Sequence, residues 1–594
     1  MLLNYDIIKL YMIVFKTLKN DKENGEKKMQ NKEKFIEGII SNMTLEQKIG
    51  QCLVIGFVGT TITPEILKRI KKYTPAGVRT GLTFRIKSAI YDPYAYNEEF
   101  LDRVIRQPKG TVKDFCLDIP VPHCTNEEYC QFLNTMKSCA AESGAKIPLH
   151  ITLDMEGDAS ADYFRGGIKY FPNQMGIAST NDPKLAHDCA WAAARQLTPL
   201  GFSWIHSPVL DVNTNPDNPE IGVRSFSEDP DKATEFALEA LKGYREAGLI
   251  TTGKHFPGRG ASSQDAHSGL PVINASLEEM EQHLKPFQAL IDAGLPAMMT
   301  AHTVYPALDD SGLPATLSKK ILTDLLKGKM GFKGAITTDD ITMGGIVEKF
   351  EVYQACIMAI NAGADLILIR DESNLLDEVF EKLVEAAKTG VIPEERLNDA
   401  VRRTLSVKYD YNLFENNAIR PVKDASSGIN DPKVHAIVQD AAERTVSVLR
   451  DKKNLLPLKK TDKVLLIEQV HPLHKFTNDQ NCHPSLLWEK MFKYSDNVSQ
   501  VETTMDFDEN SKKRVMARID DADIIVITNY YFRRYANGNE FVKELIKTGK
   551  PVIVITNSPY EFSLIDDYET VVMNYGASVE SFNEVAKLLF GERK

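Results

Sequence analysis

The sequence predicts an α/β protein: a TIM-type (β/α)8 barrel followed by a smaller α/β/α sandwich domain with a mostly parallel sheet. Three observations carry that expectation. Eight short apolar runs alternate with longer amphipathic stretches between residues 50 and 370, the pattern of repeated β–α units. A polar stretch at 416–431, with Pro421 and Ser426-Ser427-Gly428, then breaks the alternation and reads as a linker. A shorter strand–helix series follows it, as a three-layer parallel-sheet domain requires. The chain's 594 residues also exceed what one hydrophobic core organises.

The eight runs are Gly50–Phe57, Ala76–Phe84, Leu149–Met155, Phe202–Leu210, Leu249–Gly253, Ala297–Ala301, Gly334–Thr338 and Ala364–Ile369. Between them, Lys184–Leu200, Asp231–Ala247, Leu277–Ala293, Ser318–Met330 and Val352–Ala362 carry apolar residues at helical spacing. Asp182-Pro183 and Asp229-Pro230 supply starts, and Gly201, Gly248, Gly294 and Gly363 supply stops. The unit after the second run is over-long, so 86–147 reads as an insertion with its own helix over Asn126–Ser143. A helix over Glu394–Tyr409 completes the first domain, expected at 29–415. The second, 432–594, opens on a helix at Pro432–Thr445. Its strands fall at Val464–Glu468, Asp523–Asn529, Pro551–Thr556 and Thr570–Tyr575, with helices such as Asn539–Thr548 and Ser581–Leu589.

Residues 1–28 are expected to form an extension outside the fold, which a start at Met29 would omit. Their apolar patch, Tyr11–Phe15, is too short to span a bilayer. The net charge of -11 and pI near 5.7 argue against nucleic acid as a partner, and neither a membrane partner nor a location other than the cytoplasm is expected. Of the eight cysteines, Cys52, Cys189 and Cys356 sit in apolar or helical context and read as buried hydrophobes. Cys116, His123, Cys124, Cys130 and Cys139 crowd one segment. No Cys-x-x-Cys pair is among them, so free thiols in a reducing compartment are expected rather than a metal site.

Two polar clusters stand at strand ends, where α/β proteins bind ligands. One is Lys254-His255-Phe256-Pro257-Gly258-Arg259-Gly260, followed by Asp265-Ala266-His267. The other is Thr337-Thr338-Asp339-Asp340. Carboxylates at two strand ends and an Asp-x-His loop point to acid/base and nucleophilic chemistry on an uncharged substrate.

These segments, with Ser207-Pro208-Val209-Leu210-Asp211-Val212, Ile221-Gly222-x-Arg224-Ser225-Phe226 and Thr338-Asp339-Asp340-x-x-Met343, resemble glycoside hydrolase family 3. More narrowly, they are similar to its β-N-acetylglucosaminidase branch in two-domain form, over about Asn42 to Glu592. The resemblance implies a retaining exo-glycosidase that removes terminal β-linked N-acetylglucosamine from muropeptide or chitin-type oligosaccharides, with no metal or organic cofactor. It places the nucleophile on Asp339, the general acid/base on His267 with Asp265 as partner, and sugar-hydroxyl contacts on Asp154, Arg224, Lys254 and His255.

Physical chemistry supports those roles. Cleaving an acetal requires protonating a poor leaving group and stabilising an oxocarbenium-like centre. A rigid aspartate attacks the anomeric carbon, and an aspartate two residues from a histidine fixes its tautomer and raises its basicity. A glycine-flanked loop (Gly258, Gly260, Gly269) is expected to carry His267 in and out.

The chain also departs from the branch. Gly258-Arg259-Gly260-Ala261-Ser262 stands where Gly-His-Gly-Asp-Thr is typical, and Asp154-Met155-Glu156-Gly157-Asp158-Ala159 where Asp-Gln-Glu-Gly-Gly-Arg is. Arg259 reads as a surface side chain, or else as added charge favouring an anionic aglycone or phosphate as acceptor. The rival functions are a β-glucosidase or β-xylosidase of the same family, a phosphorylase using the same dyad, and a non-catalytic sugar-binding protein. Against the last stand the intact Asp339 and His267.

Overall fold

The computed structural model describes residues 29–59, 62–81, 124–157, 162–163, 166–370, 374–470, 485–531, 538–576 and 578–593. The extension 1–28, most of the expected insertion (86–123, with Cys116 and His123), and Asp158 and Ala159 lie outside the described residues.

Among the described residues, eight parallel strands close into a barrel. They are β1 (Leu53–Val58), β2 (Gly77–Gly81), β3 (His150–Leu153), β4 (Trp204–Ile205), β5 (Ile250–Phe256), β6 (Ala297–Thr300), β7 (Ala335–Asp340) and β8 (Leu366–Ile369). Each falls on one of the eight apolar runs. Side chains alternate along a strand. Val54, Trp204, Ile250, Ala297, Ala335, Leu366 and Leu368 accordingly fill one cluster, joined by Val407, Leu413 and Ala418. Their neighbours Leu53, Ile55, Ile367 and Ile369 belong to the larger cluster that includes helix residues such as Leu197, Phe236 and Leu290.

The helices follow their local signals. Pro183–Leu200 starts on the Asp182 side chain, which accepts from the Lys184 N–H, and stops at Gly201 with φ 115°. Leu277–Asp292 opens with a capping box between Ser276 and Glu279. The stretch Lys320–Lys329 is wound as a π-helix.

Two elements take a different setting from the one expected. The helix Asn126–Ala141, expected within the 86–147 insertion, lies in the β2-to-β3 crossover and packs its Tyr129, Phe132 and Leu133 into the main core. The Lys254-His255-Phe256 segment lies inside β5, not beyond its end. Burial explains the second case, since every residue of β5 is enclosed and its polar side chains find partners at the barrel mouth.

The second sheet has the order β11-β10-β12-β13-β14-β9. Its strands are β9 (Ser447–Asp451), β10 (Val464–Gln469), β11 (Val498–Thr503), β12 (Ile524–Thr528), β13 (Val552–Thr556) and β14 (Thr570–Met573). All pairs are parallel except β14 with β9. Leu466, Val526, Ile553 and Val572 face one helix layer with Leu487, Val585 and Leu589. Leu465, Ile525, Val554 and Val571 face the other with Val515, Phe541 and Leu545. The result is an α/β/α sandwich. No helix among the described residues is long and apolar enough to cross a membrane.

Candidate active site

Polar side chains gather at the C-terminal mouth of the barrel, the end that carries chemistry in this architecture. A pocket there is lined by all of the site residues expected from the sequence except Asp265, which stands behind His267.

Asp339 comes from the end of β7 with its side chain 17% exposed. Its Oδ1 accepts the Asp340 N–H at 2.8 Å. Its Oδ2 lies 3.4 Å from Arg259 Nη1 and 4.0 Å from His255 Nε2. Burial pushes the Asp339 carboxyl up, but His255, His302, Arg259 and His267 outweigh it and hold it well below the usual carboxylate range. The site therefore keeps this carboxylate ionised.

Asp211 organises the Lys254–Gly260 segment from beneath. Fully buried, its Oδ2 accepts from His255 Nδ1 at 2.7 Å, and its Oδ1 from the Arg259 N–H at 2.6 Å. This bond fixes the His255 tautomer, leaving Nε2 towards Asp339 and 3.5 Å from Arg224 Nη2. Burial lowers the His255 pKa against the pull of Asp211.

Lys254 is enclosed and bonds Asp154 Oδ1 at 3.0 Å and Glu156. Asp154 is also paired with Arg79. Burial raises its carboxyl, and the Arg79 and Lys254 cations hold it far below normal nonetheless. Arg224 forks onto Glu156, Nε to Oε2 at 2.7 Å and Nη2 to Oε1 at 3.1 Å, the planar bidentate geometry that fixes a guanidinium.

His267 holds Nδ1 2.7 Å from Asp265 Oδ1, and its own N–H donates to the same oxygen at 2.8 Å. With Nδ1 engaged, Nε2 is the nitrogen left for proton transfer. The loop is seated, not loose. Gly345 donates to the Ala266 carbonyl at 2.8 Å, and a Cβ on Gly260 would stand 1.6 Å from the Val212 oxygen.

Arg259 is corrected from surface to interior. It is 1% exposed, and its guanidinium joins Asp339 on one side and Glu220 on the other. A buried guanidinium needs counter-charges, and these stand on loops distant in sequence. Glu220, Arg79, His206, Asp211 and Arg370 are site residues that sequence reasoning did not assign. The one available signal was an arginine between two close-packed glycines, which implies an unseen carboxylate.

Each cation at the mouth meets a carboxylate: Arg79 and Lys254 with Asp154, Arg224 with Glu156, Arg259 with Glu220, and Arg370 with Asp340 at 2.7 Å. The pocket thus presents many donors and acceptors without a strong net field, which suits a hydroxyl-rich uncharged ligand. Glu220, Asp265 and His267 place donor atoms within 4.8 Å of one another, the spacing of a metal site. The Arg259 cation on Glu220 and the His267–Asp265 bond occupy those atoms instead.

Residues 112–407 match the family model for the glycosyl hydrolase family 3 N terminal domain. The chain is 40% identical over 229 residues to a β-hexosaminidase of Tolumonas auensis, covering 38% of this chain and 67% of that one. The chain belongs to glycosyl hydrolase family 3. Another relative in sequence, the β-hexosaminidase A of Pseudoalteromonas piscicida, is 33% identical over 355 residues, 56% of this chain. The match spans 58% of that relative's own length, less than two thirds of it. In three dimensions the chain is similar to a family 3 β-N-acetylglucosaminidase from a Paenibacillus species. The TM-score is 0.79 at 25% identity, over 93% of this chain and 97% of that one. That structural match extends over both the barrel and the second sheet.

Proposed function

We propose that this family 3 protein is a retaining exo-glycosidase that hydrolyses terminal β-linked N-acetylglucosamine from muropeptide or chitin-type oligosaccharides. The observation that carries the reading is the pairing of His267 Nδ1 with Asp265 at 2.7 Å on the wall of the pocket that also holds ionised Asp339. The choice of sugar is supported by the relatives named β-hexosaminidase and β-N-acetylglucosaminidase.

Asp339, held as a carboxylate, attacks the anomeric carbon while the His267 imidazolium gives its Nε2 proton to the departing oxygen. The glycosidic bond breaks and an Asp339 ester forms. Neutral Nε2 then takes a proton from water, the hydroxide equivalent attacks the anomeric carbon, and Asp339 is released. Asp154, Lys254, His255 and Arg224 hold the sugar hydroxyls, and their own partners fix them before substrate arrives.

Hydrolysis is favoured over phosphorolysis by the state of Arg259, because a guanidinium already flanked by Glu220 and Asp339 has little charge to offer phosphate. The catalytic domain is taken as 29–415 and the second domain as 432–594, joined by 416–431. A cytoplasmic setting in cell-wall recycling fits the free thiols of Cys52, Cys124, Cys130, Cys139, Cys189 and Cys356.

The test is a panel of β-aryl glycosides with and without the 2-acetamido group, assayed in phosphate and in a non-phosphate buffer. The expected result is preference for the acetamido sugar and release of free sugar in both buffers. Preference for glucosides or xylosides, or release of sugar phosphate, would replace the reading with one of its rivals.

A further inference from the structure

A second carboxylate stands at the His267 dyad. Glu220 is 4% exposed and places Oε1 3.2 Å from His267 Nδ1, on the atom that Asp265 already holds. Its Oε2 accepts the Ala266 N–H at 3.2 Å and pairs with Arg259 Nη2. One carboxylate thus touches the imidazole, the backbone of the loop that carries it, and the cation that reaches Asp339.

Its own placement is fixed from several sides. Asn218 Oδ1 accepts the Glu220 and Ile221 N–H groups at 2.9 and 2.8 Å, and Asn218 Nδ2 donates to the Arg259 carbonyl at 2.8 Å. Arg224 Nη1 donates to the Glu220 carbonyl at 3.2 Å. From the second domain, the Tyr531 hydroxyl donates to the Pro219 carbonyl at 2.7 Å. The sandwich domain therefore braces the turn that presents Glu220 to the barrel.

We infer that Glu220 is a positioning residue for His267: it holds the ring through Nδ1, fixes the loop through Ala266, and sets the charge that the imidazolium feels. The inference rests on the acid/base role proposed for His267. Other charged groups facing the loop are Asp265 on the loop itself, Arg259 from beyond β5, Asp339 from β7, and Glu348, which accepts the Leu270 N–H at 3.3 Å. Among these, Glu220 and Asp265 make the direct contacts to Nδ1. Glu220 Oε1 and Asp265 Oδ1 both face Nδ1, so the ring is oriented with Nε2 as the nitrogen left for proton transfer. Arg259 in turn keeps Glu220 ionised in the interior.

The test compares kcat/KM against pH for the full-length protein and its Glu220→Gln variant, using a glycoside with a poor leaving group. The alkaline limb of the profile is expected to move down by about one pH unit. Thermal melting verifies the fold. Glu220→Asp keeps the charge but withdraws it by one methylene, and is expected to move the limb the same way by less; it decides the matter if Glu220→Gln does not fold. A uniform loss of rate with the limb in place, in folded variants, overturns the inference and leaves Glu220 as packing only. His267→Ala separates the two layers. Equal losses on activated and poor leaving groups would remove the acid role itself, whereas unequal losses with an unmoved Glu220→Gln limb would sink the Glu220 inference alone.

Discussion

Arg259 Nη1 lies 3.4 Å from Asp339 Oδ2 while the other end of the same guanidinium is bonded to Glu220. One buried cation therefore serves both the carboxylate assigned as nucleophile and the carboxylate beside the dyad. Replacing it with an apolar side chain of similar length, Arg259→Met, removes one of the charges that hold Asp339 below its ordinary pKa. Asp339 then protonates at a higher pH, so the acid limb of kcat/KM is expected to move upward. Leaving two buried carboxylates without their cation costs about 3–5 kcal/mol of stability, visible as a lower Tm. A parental acid limb in a folded variant would show that Arg259 does not govern Asp339.

The nucleophile has a simple test. Asp339→Ala is expected to lower kcat/KM by at least about 1000-fold, equivalent to about 4 kcal/mol of transition-state stabilisation. Turnover within tenfold of the parent enzyme would reassign the attack to another group.

Leaving-group dependence tests the acid. His267→Ala should slow a glycoside with a poorly acidic aglycone far more than a nitrophenyl glycoside, because the latter departs without protonation. A Brønsted plot of kcat/KM against aglycone pKa for the variant should be steep where that of the parent is shallow. Parallel slopes would contradict the assignment.

The eight barrel strands were legible because each is a short apolar run, and Val352–Ala362 and Pro432–Thr445 because their periodicity and stops are unambiguous. Elements with little burial were not legible. The edge strand β9 exposes Val448 and Leu449, so no buried apolar run marks it in the sequence. Likewise β11 alternates only partly, and the helix Glu509–Met516 buries just Ser511 and Val515. In the site, Asp339, His267 and Asp265 stood out by local motif. Glu220 did not, because its meaning lies in contacts with Arg259 and His267, 39 and 47 positions away. The burial of Arg259 was hidden for the same reason: short-range pattern records the side chain but not its counter-charge.

Lys408 offers a test of the fold apart from the site. Its ammonium is enclosed under the barrel, bonded to the Ala76 and Pro148 carbonyls at 2.8 Å each. Burial brings its pKa down from 10.5 to about 7. Between those values the unfolded chain binds the proton and the folded protein does not, so this residue's contribution to stability rises with pH and is flat below about 7. In Lys408→Met that rise is absent. The Tm of the parent relative to the variant is expected to increase from pH 7 to pH 10; a constant difference would show that Lys408 stays charged in the fold.

The covalent intermediate is the most direct test of the whole account. The enzyme is treated with a 5-fluoro N-acetylglucosaminyl fluoride, digested with trypsin, and its peptides are fragmented in a mass spectrometer. The added sugar is expected on the peptide Gly334–Lys349, with fragment ions placing it on Asp339. A label on Asp340 or on another peptide, or turnover of the fluoride with no adduct at all, would contradict it.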